Sequence, residues 1–169
     1  TSIELDVSEK THLSAKYYRV SDAKYFEEIA RTNTSVKTLK SHLKFSFDDP
    51  DKHLVATILT EDEQPVNAGI SVYTRPLEGS ISKTFNADNK MPIQVDIVSS
   101  KFAHDTPGKE SGVRTHTNLG ITRVLSSKFP IITTRANVGS TYYRLNNSKN
   151  INRTIAGTGV DLAFPFISL

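Results

Sequence analysis

The feature that most constrains this chain is a period-two alternation of apolar and polar residues that restarts many times along its length. Ile3, Leu5 and Val7 alternate with Glu4, Asp6 and Ser8, and Leu39, Ser41, Leu43, Phe45 and Phe47 alternate with Lys40, His42 and Lys44. Ile93, Val95 and Ile97 do the same against Gln94, Asp96 and Val98. Successive side chains of an extended backbone point to opposite sides, so each such run specifies a strand with one apolar face. Further strands are expected over 13–20, 54–59, 68–75, 81–85, 113–122, 131–138, 140–145 and 158–166. Turn formers separate them: Asp48-Asp49-Pro50-Asp51, 61–65, Pro76 and Gly79, 86–89, 104–112, Pro130, Gly139, the Asn-rich 146–152, and Gly157.

One segment breaks the period. Ser21-Asp22 can cap a helix, and Tyr25, Phe26, Ile29 and Ala30 share one helical face before the Thr/Asn/Ser run at 32–35. Roughly eight to ten strands and one helix, with turn signals about every 8–12 residues, predict an all-β fold. Because one-sided strands need a second layer to bury them, the expectation is an antiparallel β-sandwich of jelly-roll type with one short helix near the N-terminus. The length, 169 residues, fits a single domain over 1–169.

Composition then limits the functions open to such a fold. No cysteine is present, which removes disulfides, thiolate nucleophiles and thiolate metal sites. No run approaches the ~20 apolar residues of a membrane helix, so no membrane insertion is expected. The five histidines, His12, His42, His53, His104 and His116, show no HxH or HExxH spacing, so no metal site is assigned. There is no GxSxG elbow, and the carboxylates at 48–49 and 61–63 lie in turn-like segments where a solvated loop is the simpler reading than an acid/base pair. Gly157 and Gly159 lack the third glycine of a nucleotide loop. The chain is therefore read as non-enzymatic, with no catalytic residues and no cofactor.

Charge is the remaining signal. The net +3 conceals a division: residues 1–80 carry ten Lys/Arg against thirteen Asp/Glu, and residues 81–169 carry eleven against five. Residues 111–160 hold seven cations and no acid at all. Parity places Arg114 with His116 on one strand face and Tyr142 with Arg144 on another. A basic face of Arg114, His116, Arg123, Arg135, Tyr142, Arg144 and Arg153 is thus a candidate contact for RNA or single-stranded DNA, or for a neighbouring subunit. The plainer alternative is a solvated sheet face, or cations paired with the acidic half of the chain.

The apolar terminus 160–169 either completes the chain's own core or docks on a neighbour. Together these features favour a self-assembling structural subunit most like a small viral coat (capsid) protein: a homo-oligomer in a virion or at a cell surface. Two alternatives stand beside it. One is a fimbrial or adhesin subunit assembling by strand addition. The other is a nucleic-acid- or carbohydrate-binding β-sandwich module.

Overall fold

The computed structural model describes residues 1–19, 38–65, 72–87, 91–104, 106–126 and 130–164. They form nine strands: β1 (Ser2–Ser8), β2 (Thr11–Lys16), β3 (Thr38–Asp49), β4 (Leu54–Pro65), β5 (Tyr73–Phe85), β6 (Ile93–His104), β7 (Gly112–Ser126), β8 (Ile131–Leu145) and β9 (Ile151–Ala163). Each strand pairs antiparallel with the next in sequence, so the spatial order is β1 to β9 without a crossover. This is one continuous meander. Among the described residues its first and last strands, β1 and β9, are each hydrogen-bonded on one side only.

Local chemistry sets the turns. Between β3 and β4 the chain makes a single 3-10 turn, Pro50–Lys52. Pro50 supplies the fixed φ that favours a first helical position, the Asp49 carboxylate accepts from the Lys52 amide, and His53 closes the turn with a left-handed φ of 48°. The β1–β2 hairpin reaches across to this turn: Lys10 Nζ donates to Asp49 at 2.9 Å and to Asp51 at 3.3 Å.

All-β and antiparallel is what the alternation predicts, and the structure has it. The two-layered sandwich is not what these residues build. Among the described residues there is one sheet, and only Asp49, Ser100 and Gly112 are fully buried. A sandwich core would bury large apolar side chains between two sheets. Here Ile58 is 57% exposed and Val160 65% exposed, each in a regular strand. The register explains why. Phe45 lies opposite Ile58, Ile58 opposite Gly79, Ile81 opposite Ile97, and Leu119 opposite Val138, so the apolar residues of successive strands fall on the same side of one sheet.

Several boundaries also differ from expectation. β5 runs through Pro76, which falls in a register shift between Thr74 and Leu77, the irregular position at which a strand tolerates a residue without an amide donor. β8 passes through Gly139 as a single strand where two were expected, and β9 starts at Ile151 and passes through Gly157. The predicted helix at 21–30 and the terminal residues 165–169 lie outside the described residues.

Candidate functional site: two opposed faces of one sheet

Register divides the side chains of all nine strands into two sets. One face carries Ile3 and Leu5 on β1, Leu43 and Phe45 on β3, Ile58 on β4, Ile81 on β5, Ile97 on β6, Leu119 and Ile121 on β7, Val138 on β8, and Val160 and Leu162 on β9, all of them exposed. The charged residues of this apolar face sit only at its two rims. Asp62, Lys101 and Arg144 mark one rim; Asp49, Lys83 and Arg123 mark the other.

The spacing of the rims carries information. Lys101 lies opposite Val113, and Val113 opposite Arg144, so two cations flank one position of β7. From Val113 to Arg123 the same strand runs about 33 Å at ~3.3 Å per residue, which projects to about 25 Å for a strand tilted by roughly 40°. Between those rows the face bears no charge on β6, β7, β8 or β9. Aromatic rings stand near both rims: Tyr142 at the first, and Phe85, with the Lys83 amine 5.6 Å from its ring centre, at the second.

The opposite face is polar and internally paired. Near the first rim Lys40 meets Glu63 at 3.4 Å, and Arg75 bridges Glu61 and Glu78, each at 3.3 Å. Beside these pairs an aromatic group crosses four strands. Tyr73 contacts His104 edge-on at 4.5 Å and Phe102 at 6.2 Å, Phe102 lies 6.5 Å from Tyr143, and Arg114 stacks 6.0 Å from the Tyr143 ring centre. Gly112, opposite Leu145 and Phe102, is fully buried against the backbone of Arg144 and Leu145. The two ion-paired glutamates Glu61 and Glu63, with Arg75 and the Tyr73, Phe102 and Tyr143 rings, line a cleft of about 430 Å³.

Farther along the polar face, Asp96 accepts hydrogen bonds from Ser82 at 2.6 Å, Gln94 at 3.0 Å and Asn118 at 3.3 Å. His116 shares a hydrogen bond with Thr141 at 2.8 Å, Arg135 pairs with Asp161 at 2.9 Å, and His12 with Asp6 at 2.6 Å. A few apolar residues, Val55, Ile151 and Ile155, also lie on this side.

The seven residues expected to form one basic face are split by the sheet. Arg114, His116, Arg135 and Arg153 are on the polar face, whereas Arg123, Tyr142 and Arg144 are on the apolar one. Both parity pairs, Arg114 with His116 and Tyr142 with Arg144, are as predicted. No single surface unites the seven, because residues an odd number apart on one strand must point to opposite sides. The carboxylates at 61–63, read from sequence as a solvated turn, stand instead inside β4, where Glu61 and Glu63 are held by Arg75 and Lys40; that pairing and the aromatics Tyr73, Phe102 and Tyr143 were not singled out from sequence. Their signal was present as same-face spacing on neighbouring strands, which becomes visible only when the register is known. Among the described residues no group of His, Asp and Glu could hold a metal ion.

Two comparisons bear on what such a sheet belongs to. Comparison with curated proteins gives no match. The family model described as LptD, LPS transport system D, matches residues 4–168. That match overturns the coat-protein, fimbrial and nucleic-acid- or carbohydrate-module expectations, and with them the RNA or single-stranded DNA partner, the assembly into copies of itself and the virion. The physical reason is on the sheet: the seven residues do not converge, three lying on the apolar face and four on the polar one, where Arg114 stacks on Tyr143 and Arg135 pairs with Asp161. The expectation of no membrane insertion falls with them. It rested on helix length, and although no described helix is long and apolar enough to cross a membrane, strands cross by another rule. Of the suspected locations, the cell surface survives as the cell envelope.

Proposed function

We propose that this chain, which belongs to the LPS transport system D family, forms part of the wall of an outer-membrane β-barrel that serves LPS transport. Its apolar face meets lipid and its polar face lines the barrel interior. The observation that carries this reading is the uncharged band, about 25 Å tall, between two charged rims, the height expected for the lipid-facing band of a transmembrane barrel. Strand length supports it. β3 to β9 are 12 to 15 residues long, enough to cross a bilayer at a tilt, whereas strands of soluble sheets average about five or six.

The same reading accounts for the two half-paired outer strands. A backbone amide or carbonyl left unpaired in hydrocarbon costs several kcal/mol, so a spanning sheet must close on itself. β1 and β9 do not pair with each other in the described residues, so a closed wall requires a strand edge against each of them. The interior face explains the mixed ion pairs: a polar lumen can hold Glu61, Glu63, Arg75 and Lys40 in contact with one another and with water, while lipid cannot.

The chain has no cysteine, so single-thiol labelling has no native background. In the purified protein reconstituted in bilayers, a bimane on Ile97→Cys, Leu119→Cys or Val138→Cys is expected to be quenched by lipid-bound nitroxide and shielded from aqueous quencher. A label on His116→Cys or Asn118→Cys should behave in the opposite way. Equal aqueous quenching at all five positions would sink the wall assignment.

A further inference from the structure

The apolar face carries a feature that a plain lipid contact does not need. Lys101 and Arg144 stand on the same row, two strands apart, with only Val113 between them. Two inter-strand spacings put their backbones about 10 Å apart, within reach of one shared anion for side chains of this length. Both are exposed, and among the described residues neither forms an ion pair. Two like charges placed side by side at the edge of hydrocarbon repel each other unless an anion joins them.

A groove leads away from that pair. A cavity of about 430 Å³ is bounded by Leu77, Gly79, Ser99, Lys101, Val113 and Ile58. A second, of about 280 Å³, continues it past Ile58 and Gly79 to Ile81, Ile97, Ala56 and Phe47. Gly79 is the floor the two share: a Cβ built there meets nothing within 4 Å, so the trough is open because this position has no side chain. The Ser99 and Thr115 hydroxyls, 3.1 Å apart, lie between the cations and the trough. Of the nearby acids, Glu78 is held by Arg75, and Asp62 is on β4, two strands from Lys101.

We infer that this surface is a built lipid site: Lys101 and Arg144 bind the phosphate headgroup of an anionic membrane lipid, and one acyl chain lies in the trough over Gly79. A cation pair at the interface followed by an apolar channel running toward the bilayer centre is the shape and polarity of such a molecule. A soluble anion would use the cations and leave the trough empty, and a zwitterionic lipid would fill the trough with less gain at the cations. The inference rests on the apolar face being the lipid-facing one.

The test uses the purified protein in non-ionic detergent, with native mass spectrometry after adding phosphatidylglycerol or phosphatidylcholine of matched chains. Wild type should retain phosphatidylglycerol about tenfold better than phosphatidylcholine, and the Lys101→Gln/Arg144→Gln variant should lose that preference. Gly79→Leu, which fills the trough and leaves both cations in place, should reduce retention of both lipids. Lys83→Gln/Arg123→Gln, at the opposite rim, should leave retention as in wild type, and inorganic phosphate should not displace the bound lipid.

Retention unchanged in both the cation and the glycine variants overturns the lipid site, as does displacement by inorganic phosphate, which would mark an anion site only. The bimane on Ile97→Cys separates this failure from the broader one. Quenching by lipid-bound nitroxide with no lipid preference defeats the lipid site alone; no quenching defeats the wall assignment and the site with it.

Discussion

Gly112 shows how tightly single positions are set. A Cβ added there would lie 2.2 Å from the Arg144 carbonyl oxygen, a clash with backbone that no rotamer relieves. We expect Gly112→Ala to destabilise the sheet by about 1–3 kcal/mol, read as a lower urea midpoint in detergent micelles. Gly79→Ala, with free space around the new atom, should leave the midpoint unchanged or raise it slightly. Single residues were also where sequence was most informative. Alternation alone placed Arg114 beside His116 and Tyr142 beside Arg144, because parity along a strand needs no partner. It could not place Arg114 against Tyr143, since that contact depends on which residues of β7 and β8 are opposite each other.

At the scale of elements, the β1–β2 hairpin is tied to the β3–β4 turn by Lys10. Its amine titrates above the usual lysine range, chiefly through the hydrogen bond to Asp49 and also through that to Asp51, with partial burial opposing them. A raised pKa in the folded protein means that the tether contributes fully below the ordinary lysine value and is lost as pH rises through the higher one. Neutral and acidic solution down to the carboxylate range therefore keep the hairpin docked. Lys10→Met should increase hydrogen exchange in β1 and β2 at pH 7 while leaving β6 to β8 unchanged, and raising the pH past the lysine range should reproduce that loosening in the wild type. Element boundaries were harder to read. Pro76, Gly139 and Gly157 are ordinary terminators in short soluble strands, yet here they lie inside strands of 13 to 15 residues. Pro76 is accommodated by a register shift, and Gly139 leaves room for the His116 ring, whose Cε1 would be 3.3 Å from an added Cβ.

At the scale of the whole molecule, the two ends of the sheet differ. Connections 17–37, 66–72, 105–111 and 146–150 leave one end, and 9–10, 50–53, 86–92 and 127–130 leave the other. The first set includes much the longest connection, and in transmembrane barrels the longer loops face outward while short turns face the periplasm. In intact cells, a membrane-impermeant maleimide is expected to label Lys109→Cys, next to the loop in which Glu110 bonds Ser148, and to spare Asp51→Cys until the outer membrane is opened. The reverse pattern would invert the orientation.

The all-β, antiparallel character was legible in the sequence, and the environment was not, for a physical reason. A strand with one apolar face reads the same whether that face packs on a second sheet or on lipid. Ile81, Ile97 and Leu119 satisfy both, and mean hydropathy stays low because alternate residues of each strand lie on the polar face. What distinguishes the cases is two-dimensional: all charges of one face lie at the rims, a pattern spread over nine separate stretches of chain and joined only by register.

The unbroken order β1 to β9 has a further meaning for how such a wall comes into being. Every strand finds its partner in the segment just made, so pairing can advance one hairpin at a time, each step except β2 to β3 closing only a short loop. At every stage the growing edge is a single strand with unspent amides and carbonyls, and it tolerates water but not hydrocarbon. The sheet is thus suited to growth by accretion at one margin, and the wall proposed above would need that margin sheltered until it is paired.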